Sequence, residues 1–514
     1  MRIGIDVGGT NTDAVLMDGS SVLAEVKTST TEDVTAGVVT ALRGLADAGR
    51  FTPAEVEAVM IGTTHFTNAI IEGRRLAPTA AIRLGLPATR ALPPMVDWPD
   101  RLRSALGGHV YLCHGGHEFD GRTISQLRPD EIARAAEEIG RAGVRSVAIS
   151  SVFSPASADF ELRAADIVAS VLPDAHISLS HQIGRIGLLE RENATIVNAC
   201  LRDLADTIVN AFTDALATAG LRAPLYLSQN DGTLMDVEFT RKYPVATFAS
   251  GPTNSMRGAA LLSGLSDCAV VDIGGTTSDV GMLANGFPRE AATEVDIGGV
   301  RSNFRMPDVL SIGIGGGSRV RESGVGPDSV GHELTKRALV FGGDTVTATD
   351  IVVAAGHADI GDRSLVRHLD RGFVTAVLDR IAHDVADTVD RMRTSPEPIP
   401  VVIVGGGSLL VPGALPGFDQ VCRPDHFAVA NAIGAAIAQI GGEVDRIFAI
   451  GSRSREQVLD AARQEAVEAA VAAGARPETV RIVEVEDVPI AYLPGNAVRV
   501  RVKAVGDLHM AERA

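Results

Sequence analysis

Apolar residues along the chain come in short runs, and the spacing within the runs switches between a strand pattern and a helix pattern. Ile3 and Ile5 to Val7 read as a buried strand. A Gly-Gly turn follows, and Ala14 to Met17 make a second strand closed by the turn "DGSS". In "EDVTAGVVTALRGLADA" (32–48) the apolar side chains recur three and four positions apart, which predicts a helix ending near Gly49. "AVMIGTTHFTNAIIEG" reads as a strand, a threonine-rich loop and the start of a helix. "VRSVAISSVF" (144–153) is a buried strand, followed by a helix from Asp159 to Val171 and a long helix from Leu188 to Ala219. The pattern then restarts. "CAVVDIGG" and "DVGMLANG" form a strand, a turn and a returning strand, and "VLSIGIGGGSR" and "IPVVIVGGGSLL" are strands running into glycine-rich turns. "FAVANAIGAAIAQIGG" is an Ala-rich helix suited to close packing on a sheet. After Gly442 come "RIFAIG", a helix from about Arg453 to Ala473 and two strands up to Lys503, the pattern of a small α+β unit.

Strands alternating with helices predict an α/β fold. One octapeptide is nearly repeated: "DVGGTNTD" (6–13) and "DIGGTTSD" (272–279) agree at five of eight positions. Two copies this far apart indicate duplication of a domain and not a solenoid. The expected units are 1–180, 181–442 and 443–514.

At 514 residues the chain has room for several cores, and 45% hydrophobic with 22% charged residues is ordinary for a globular protein. A net charge of −17 argues against nucleic acid and against an anionic membrane surface as partners. The four cysteines are scattered without a CxxC pair, which suits a reducing compartment. No apolar run is long enough to span a bilayer, and Asp6 interrupts what would be a signal peptide, so the expectation is a cytoplasmic protein.

A Gly-Gly-Thr turn between strands presents backbone N–H groups in a concave array that suits phosphate oxygens. Gly8, Gly9, Thr10, Asn11 and Thr12 form one such turn, and Gly274, Gly275, Thr276 and Thr277 the other. Asp6 and Asp272 sit at the strand ends, where either can hold a hydrated Mg²⁺. Facing each other, the turns would clamp a polyphosphate; the alternative is a pair of plain hairpins. Gly405, Gly406, Gly407 and Ser408 end a third strand, suited either to a base or ribose or simply to close helix packing. No Walker P-loop is present.

The order D-x-G-G-T, D-x-G-G-T, V-G-G-G-S-x-x-x-P resembles the actin-like ATPase superfamily. That resemblance implies two ribonuclease-H-like domains with ATP in the cleft between them. A narrower resemblance rests on "IGTTHFTNAIIEG", "QNDGTLM", "FASGPTNSMRGAALLSG", "DIGGTTSDVGML" and "SIGIGGGSRV". Together these are similar to the hydantoinase A / 5-oxoprolinase family, over about residues 1–440. The resemblance implies a short form with a reduced C-terminal region. It implies ATP and Mg²⁺ as cofactors and a small cyclic amide (lactam, hydantoin or 5-oxoproline-like) opened after phosphorylation of its carbonyl oxygen. It further implies a B-type hydantoinase subunit as partner and a homodimer or hetero-oligomer. His65 and Phe66 stand where many relatives have small residues.

On this reading Asp6, Asp231 and Asp272 are the catalytic candidates, and Asp6 and Asp272 the Mg²⁺ ligands. Asp231 is a substrate-side polar group or base, or else a turn-forming Asp before Gly. Thr63, Thr64 and Asn68 contact substrate, or else the threonines cap a helix. Asp13 and Asp279 brace the hairpins, and Glu190 with Arg191 form a helix-end ion pair. "CHGGHEFDG" (113–121) is a metal cluster, a substrate-facing hairpin or a plain turn. Competing readings are a small-molecule kinase, an ATPase subunit of a ketone-carboxylase-like complex, and a nucleotide-switched assembly module.

Overall fold

The computed structural model describes residues 1–30, 34–49, 51–119, 121–291, 294–449, 454–490 and 497–509. Along the chain, β1 (Arg2–Val7), β2 (Asn11–Asp18) and β3 (Ser21–Ser29) form an antiparallel meander. Helix α1 (Val34–Gly49) packs its Val38, Leu42 and Leu45 face against that meander. Strand β4 (Ala58–Thr63) pairs parallel with β1 and leads into α2 (His65–Glu72). Four parallel strands then make a separate sheet: β5 (Thr79–Leu86), β6 (His109–His114), β7 (Ser146–Ser151) and β8 (His176–Leu179), in the order β6-β5-β7-β8. Helix α3 (Asp159–Val171) covers this sheet through Phe160, Ala164 and Val168.

The helix expected from Leu188 to Ala219 is two helices, α4 (Leu188–Cys200) and α5 (Arg202–Thr218), which meet at Leu201. Ten consecutive residues of α4, Arg191 to Cys200, are buried, so it is a core element wrapped on all sides, as its mixed sequence gives no single apolar stripe. The hairpin β9 (Leu225–Ser228) and β10 (Thr233–Asp236) extends the first sheet beyond β4. Helix α6 (Ser250–Ser263) then leads to β11 (Cys268–Ile273) and β12 (Ser278–Ala284). With β13 (Phe287–Pro288), β14 (Val309–Ile312), β15 (Val401–Val404) and β16 (Val421–Cys422), these make a second sheet.

The two sheets repeat one plan. Asp6 pairs with Asp13 across the first hairpin, and Asp272 pairs with Asp279 across the second. Beside each hairpin a parallel strand runs to the same edge, β4 next to β1 and β15 next to β11. The loop "GTTH" after β4 is therefore the counterpart of "GGGS" after β15.

Helix α7 (Ala430–Ala436) is shorter than the Ala-rich run that predicts it, because Gln439 already belongs to β17 (Gln439–Ala449). It crosses α6 at very close range: a Cβ on Gly258 would lie 1.9 Å from the Ala430 carbonyl oxygen, and one on Gly434 1.8 Å from that of Asn254. Glycine is required at both positions. Finally α8 (Arg455–Ala472), β18 (Arg481–Pro489) and β19 (Ala497–Gly506) complete the chain. β17 pairs with β10, and β19 with β17, so residues after 442 lengthen the first sheet to nine strands. That sheet draws strands from all three of the units expected from sequence. Glu32, Asp33, Asp120, Ile450 and Arg453 lie outside the described residues.

Candidate nucleotide cleft

The repeated hairpins face each other. A Cβ on Gly275 would lie 3.7 Å from the Thr10 side chain. In each turn the first glycine donates back across the hairpin, Gly8 N to Asn11 O (3.0 Å) and Gly274 N to Thr277 O (2.9 Å). Among the described residues the amides of Gly9, Thr10, Gly275 and Thr276 donate to no protein acceptor. Unspent N–H groups on two opposed turns form an anion-binding concavity. "SIGIGGGS" braces the second turn from behind, with Gly316 N donating to Gly274 O (3.0 Å) and Gly317 N to Gly275 O (2.7 Å). The "GGGS" loop is tied to the same place by Gly407 N donating to Ile273 O (2.7 Å), and Ser408 is buried behind it.

Carboxylates gather beneath the turns. Asp6 is 5% exposed; its Oδ2 accepts from Asn431 Nδ2 at 3.0 Å, and the same amide donates to Asp13 Oδ2 at 3.0 Å. Burial, reinforced by the Asp13 and Asp272 charges, pushes Asp6 up to about 7. Asp272 accepts from Ser255 Oγ at 2.5 Å, yet burial, with added repulsion from Asp279 and Asp13, still pushes it up to about 6. Asp279 is raised by burial against a hydrogen bond from Ser311. Lys27 reaches into this group, 2.5 Å from Asp13 Oδ1, with its side chain beside Gly406.

Asp6 Oδ1 has no partner, and neither has either amide atom of the fully buried Asn254. Both residues press on Gly62, where a Cβ would lie 2.5 Å from Asp6 Oδ1 and from Asn254 Nδ2. Buried polar atoms without a protein partner call for one from outside the chain, such as water or an ion. Closely spaced acids whose ionisation is held back by burial and mutual repulsion fit a divalent cation, which would favour their charged forms. Among the described residues no three His, Cys, Asp or Glu side chains converge on a metal-sized site. Two buried carboxylates beside turns of unspent amides fit an ion that keeps several waters and takes one or two carboxylates plus phosphate, which is the habit of Mg²⁺.

The structure brings Asp6, Asp272 and the three glycine-rich loops together. Thr63 and Thr64 lie at the same edge: Thr64 donates through its amide to Val7 O (3.3 Å), and Ser250 Oγ donates to Thr63 O (3.4 Å). Asn68 Nδ2 donates to Thr64 Oγ1 (3.4 Å). Thr63 Oγ1 shares a hydrogen bond with His65 Nδ1 at 2.6 Å, and burial pushes His65 down to about 4, so the imidazole is neutral at pH 7. Asp231 stands apart from the cleft acids. Its hydrogen bonds and ion pair go to Thr233 and Lys503 (3.0 Å); burial alone would raise its pKa, but these partners outweigh it and hold the carboxyl below the usual range.

Arg191 is buried, donating to Ser180 Oγ and to the carbonyls of Ser151, Arg185 and Gly187. In "CHGGHEFDG" His114 pairs with Glu131, and His117 lies against the Phe160 ring. Sequence reading missed Lys27, Asn254, Ser255 and Asn431. The one available signal was that Ser255 and Asn254 fall inside the quoted "FASGPTNSMRGAALLSG".

Comparison with known proteins bears on this geometry. Residues 2–172 match the family model "Hydantoinase/oxoprolinase N-terminal region", and residues 191–362 match "Hydantoinase/oxoprolinase". The chain is 29% identical to caprolactamase subunit alpha of Pseudomonas jessenii, over 85% of this chain and 65% of that one. It is 26% identical to the acetophenone carboxylase gamma subunit of Aromatoleum aromaticum, over 69% of this chain and 53% of that one. It thus spans less than two thirds of either relative. Among solved structures, the ATP-dependent caprolactamase from Pseudomonas jessenii superposes with TM-score 0.78 at 20% identity, covering 100% of this chain and 89% of that one. A nucleotide-free acetone carboxylase gives 0.69 at 17% identity, covering 100% and 88%. Both likenesses are of fold: the α/β architecture of this chain, with its two sheets, extends over these structures.

Proposed function

The chain belongs to the hydantoinase/oxoprolinase family, and on that premise we propose that it is the ATP-using hydrolase, or hydrolase subunit, for a cyclic amide. The observation that carries this reading is the opposed pair of turns, whose unspent amides face one another above Asp6 and Asp272. Bound Mg-ATP would supply the phosphoryl group that activates the carbonyl oxygen of a lactam, hydantoin or 5-oxoproline-like ring.

The chain's own residues align and neutralise, which is most of what phosphoryl transfer requires of a protein. Asp6 and Asp272 hold Mg²⁺, while Gly8 to Thr12 and Gly274 to Thr277 hold phosphate oxygens. Gly405 to Ser408 flank the nucleoside. Lys27, tethered to Asp13 beside Gly406, balances charge at the junction of the loops. Thr63, Thr64 and Asn68 face the substrate side of the cleft, with Asp231 as a polar group further along β9–β10. The working compartment is the cytoplasm, and a B-type subunit completes the assembly.

Purified protein with Mg-ATP and a panel of lactams and hydantoins, with and without a B-type subunit, provides the test. Ring opening coupled to ADP and phosphate release is the expected result. A stable phosphorylated product would convert the reading to a kinase. The second reading, an activating subunit for a ketone carboxylase, draws on the acetophenone carboxylase relative. Stimulation by ketone and bicarbonate, with none by any ring, would favour it.

A further inference from the structure

A cavity of about 550 Å³ lies outside the cleft, and the nucleotide reading makes no use of it. It opens beyond the carboxyl ends of β7 and β8, through Ser154 and His181. In sheets with parallel strands, ligands bind at that end. The remaining walls come from the β9–β10 turn (Asn230), from Val245 and Phe304, and from arginines anchored by β17 and β19. One side is therefore apolar and the other carries Arg305 and Arg499 paired with Glu443 and Asp445, a mixed lining suited to a small molecule. Arg185 lines it, bonded at one end to Glu290 (3.1 Å), while its buried Nε has no partner.

His181 is held as an acid–base group is held. Its Nδ1 is 2.6 Å from Glu161 Oε2, and its amide donates to the same oxygen at 3.0 Å. Glu161 is fully buried on α3, and its other oxygen accepts from Ser151 N (2.8 Å) and Ser180 Oγ (2.5 Å). Burial alone would raise the Glu161 pKa, but the bonds from His181 and Ser180 outweigh it and keep the carboxylate charged. A charged acceptor at Nδ1 calls for a proton on that nitrogen and turns Nε2 away from Glu161. Proton transfer by an imidazole oriented in this way is the common pattern of general acid–base catalysis.

We propose that this cavity takes the ring of the cyclic amide and that His181, oriented by Glu161, is the proton-transfer residue for ring opening. The choice of a cyclic amide rests on the function proposed above; the site itself rests on the cavity and the His181–Glu161 geometry. In the step, a water O–H bond breaks and an Nε2–H bond forms as the oxygen adds to the carbonyl carbon. When the C–N bond breaks, the same proton passes from Nε2 to the departing nitrogen; the carbon keeps its phosphorylated oxygen as an acyl phosphate, and a second water splits that into the carboxylate and free phosphate. Helix α6 runs between the cavity wall and the cleft: Thr253 Oγ1 donates to Asn230 O behind that wall (3.0 Å), and the next two residues, Asn254 and Ser255, face Asp6 and Asp272.

The test titrates nucleotide-free full-length protein with ε-caprolactam, 5-oxoproline and hydantoin by calorimetry. Wild type is compared with Ala246→Trp, which fills the cavity, and with Ala156→Trp, on its exposed lip, in case the first fails to fold. Saturable binding of at least one ring, weakened tenfold or more by either folded variant, is expected. His181→Gln should bind that ring and Mg-ATP within threefold of wild type yet open the ring at least 100-fold more slowly. No binding of any ring, unchanged binding in the filled variants, or ring opening by His181→Gln within threefold of wild type would each overturn the proposal. If wild type opens none of the rings, the titration alone decides. Loss of turnover in Asp6→Asn with silent cavity variants would sink the cavity and spare the cleft; intact turnover in Asp6→Asn with active cavity variants would do the reverse.

Discussion

Asp6 and Asp272 carry the clearest consequences at the scale of single residues. Replacing either with Asn removes a charge that burial opposes, so the folded chain should keep or gain thermal stability while Mg-ATP turnover falls at least ~100-fold, the scale of lost electrostatic stabilisation. Turnover and melting temperature measured on the same preparations check this. The Asp6 pKa near 7 lies above the usual carboxylate value of 3.8. Folding therefore favours its protonated form. The associated stability is fully present below about pH 4 and is lost as pH rises through about 7. Melting curves without Mg²⁺ or nucleotide should drop between about pH 4 and 7, and Asp6→Asn should flatten that drop. Asn431 lowers the Asp6 pKa through its hydrogen bond. Asn431→Ala should move the acid limb of the turnover profile to higher pH by roughly one unit.

The sequence made the two aspartates legible because each precedes a repeated turn. Asn431 and Lys27 were not legible, and Asn254 and Ser255 were so only as unassigned members of a motif. Each meets the acids through a helix crossing or a strand pairing that no local spacing encodes. Asp231 was legible as an acid before glycine, but its binding by Lys503, a strand away at the far end of the chain, was not.

At the scale of elements, α6 and α7 join the two sheets through their crossing at Gly258 and Gly434. A methyl group at either position meets a backbone carbonyl at under 2 Å. Gly434→Ala should cost about 3 kcal/mol in urea unfolding, at the upper end of overpacking penalties. A cost near zero would mean the helices can separate without strain. Periodicity located α1 and α3 closely through their one-sided apolar pattern, and both hairpins were marked by short apolar runs either side of a Gly-Gly turn. It failed for α4–α5, where a buried helix has no polar face, so the break at Leu201 left no mark in the pattern. It also overran α7, because small apolar residues serve equally in a crossing helix and in the strand that follows.

For the whole molecule, the tail after residue 442 packs its α8 alanines and the Val498, Val500 and Val502 face onto Ala58, Met60 and Leu234 of the first sheet. A chain ending at 442 would expose that core and a strand edge, so it should aggregate on expression, as size-exclusion chromatography would show. A soluble monomer would mean that the tail is an accessory to the sheet.

The sequence by itself determined the α/β class, the duplication, the family and the three glycine-rich loops, because these are written in contiguous residues whose backbone chemistry is local. Only the tertiary structure decided what those loops enclose. The opposed amides, the bridging of Asp6 and Asp13 by Asn431 and the bond from Ser255 to Asp272, the nine-stranded sheet assembled from three stretches of chain, and the His181–Glu161 pair all depend on packing between distant residues. Burial raises the energies of the acids and holds the imidazole in place, and burial is a property of the folded chain.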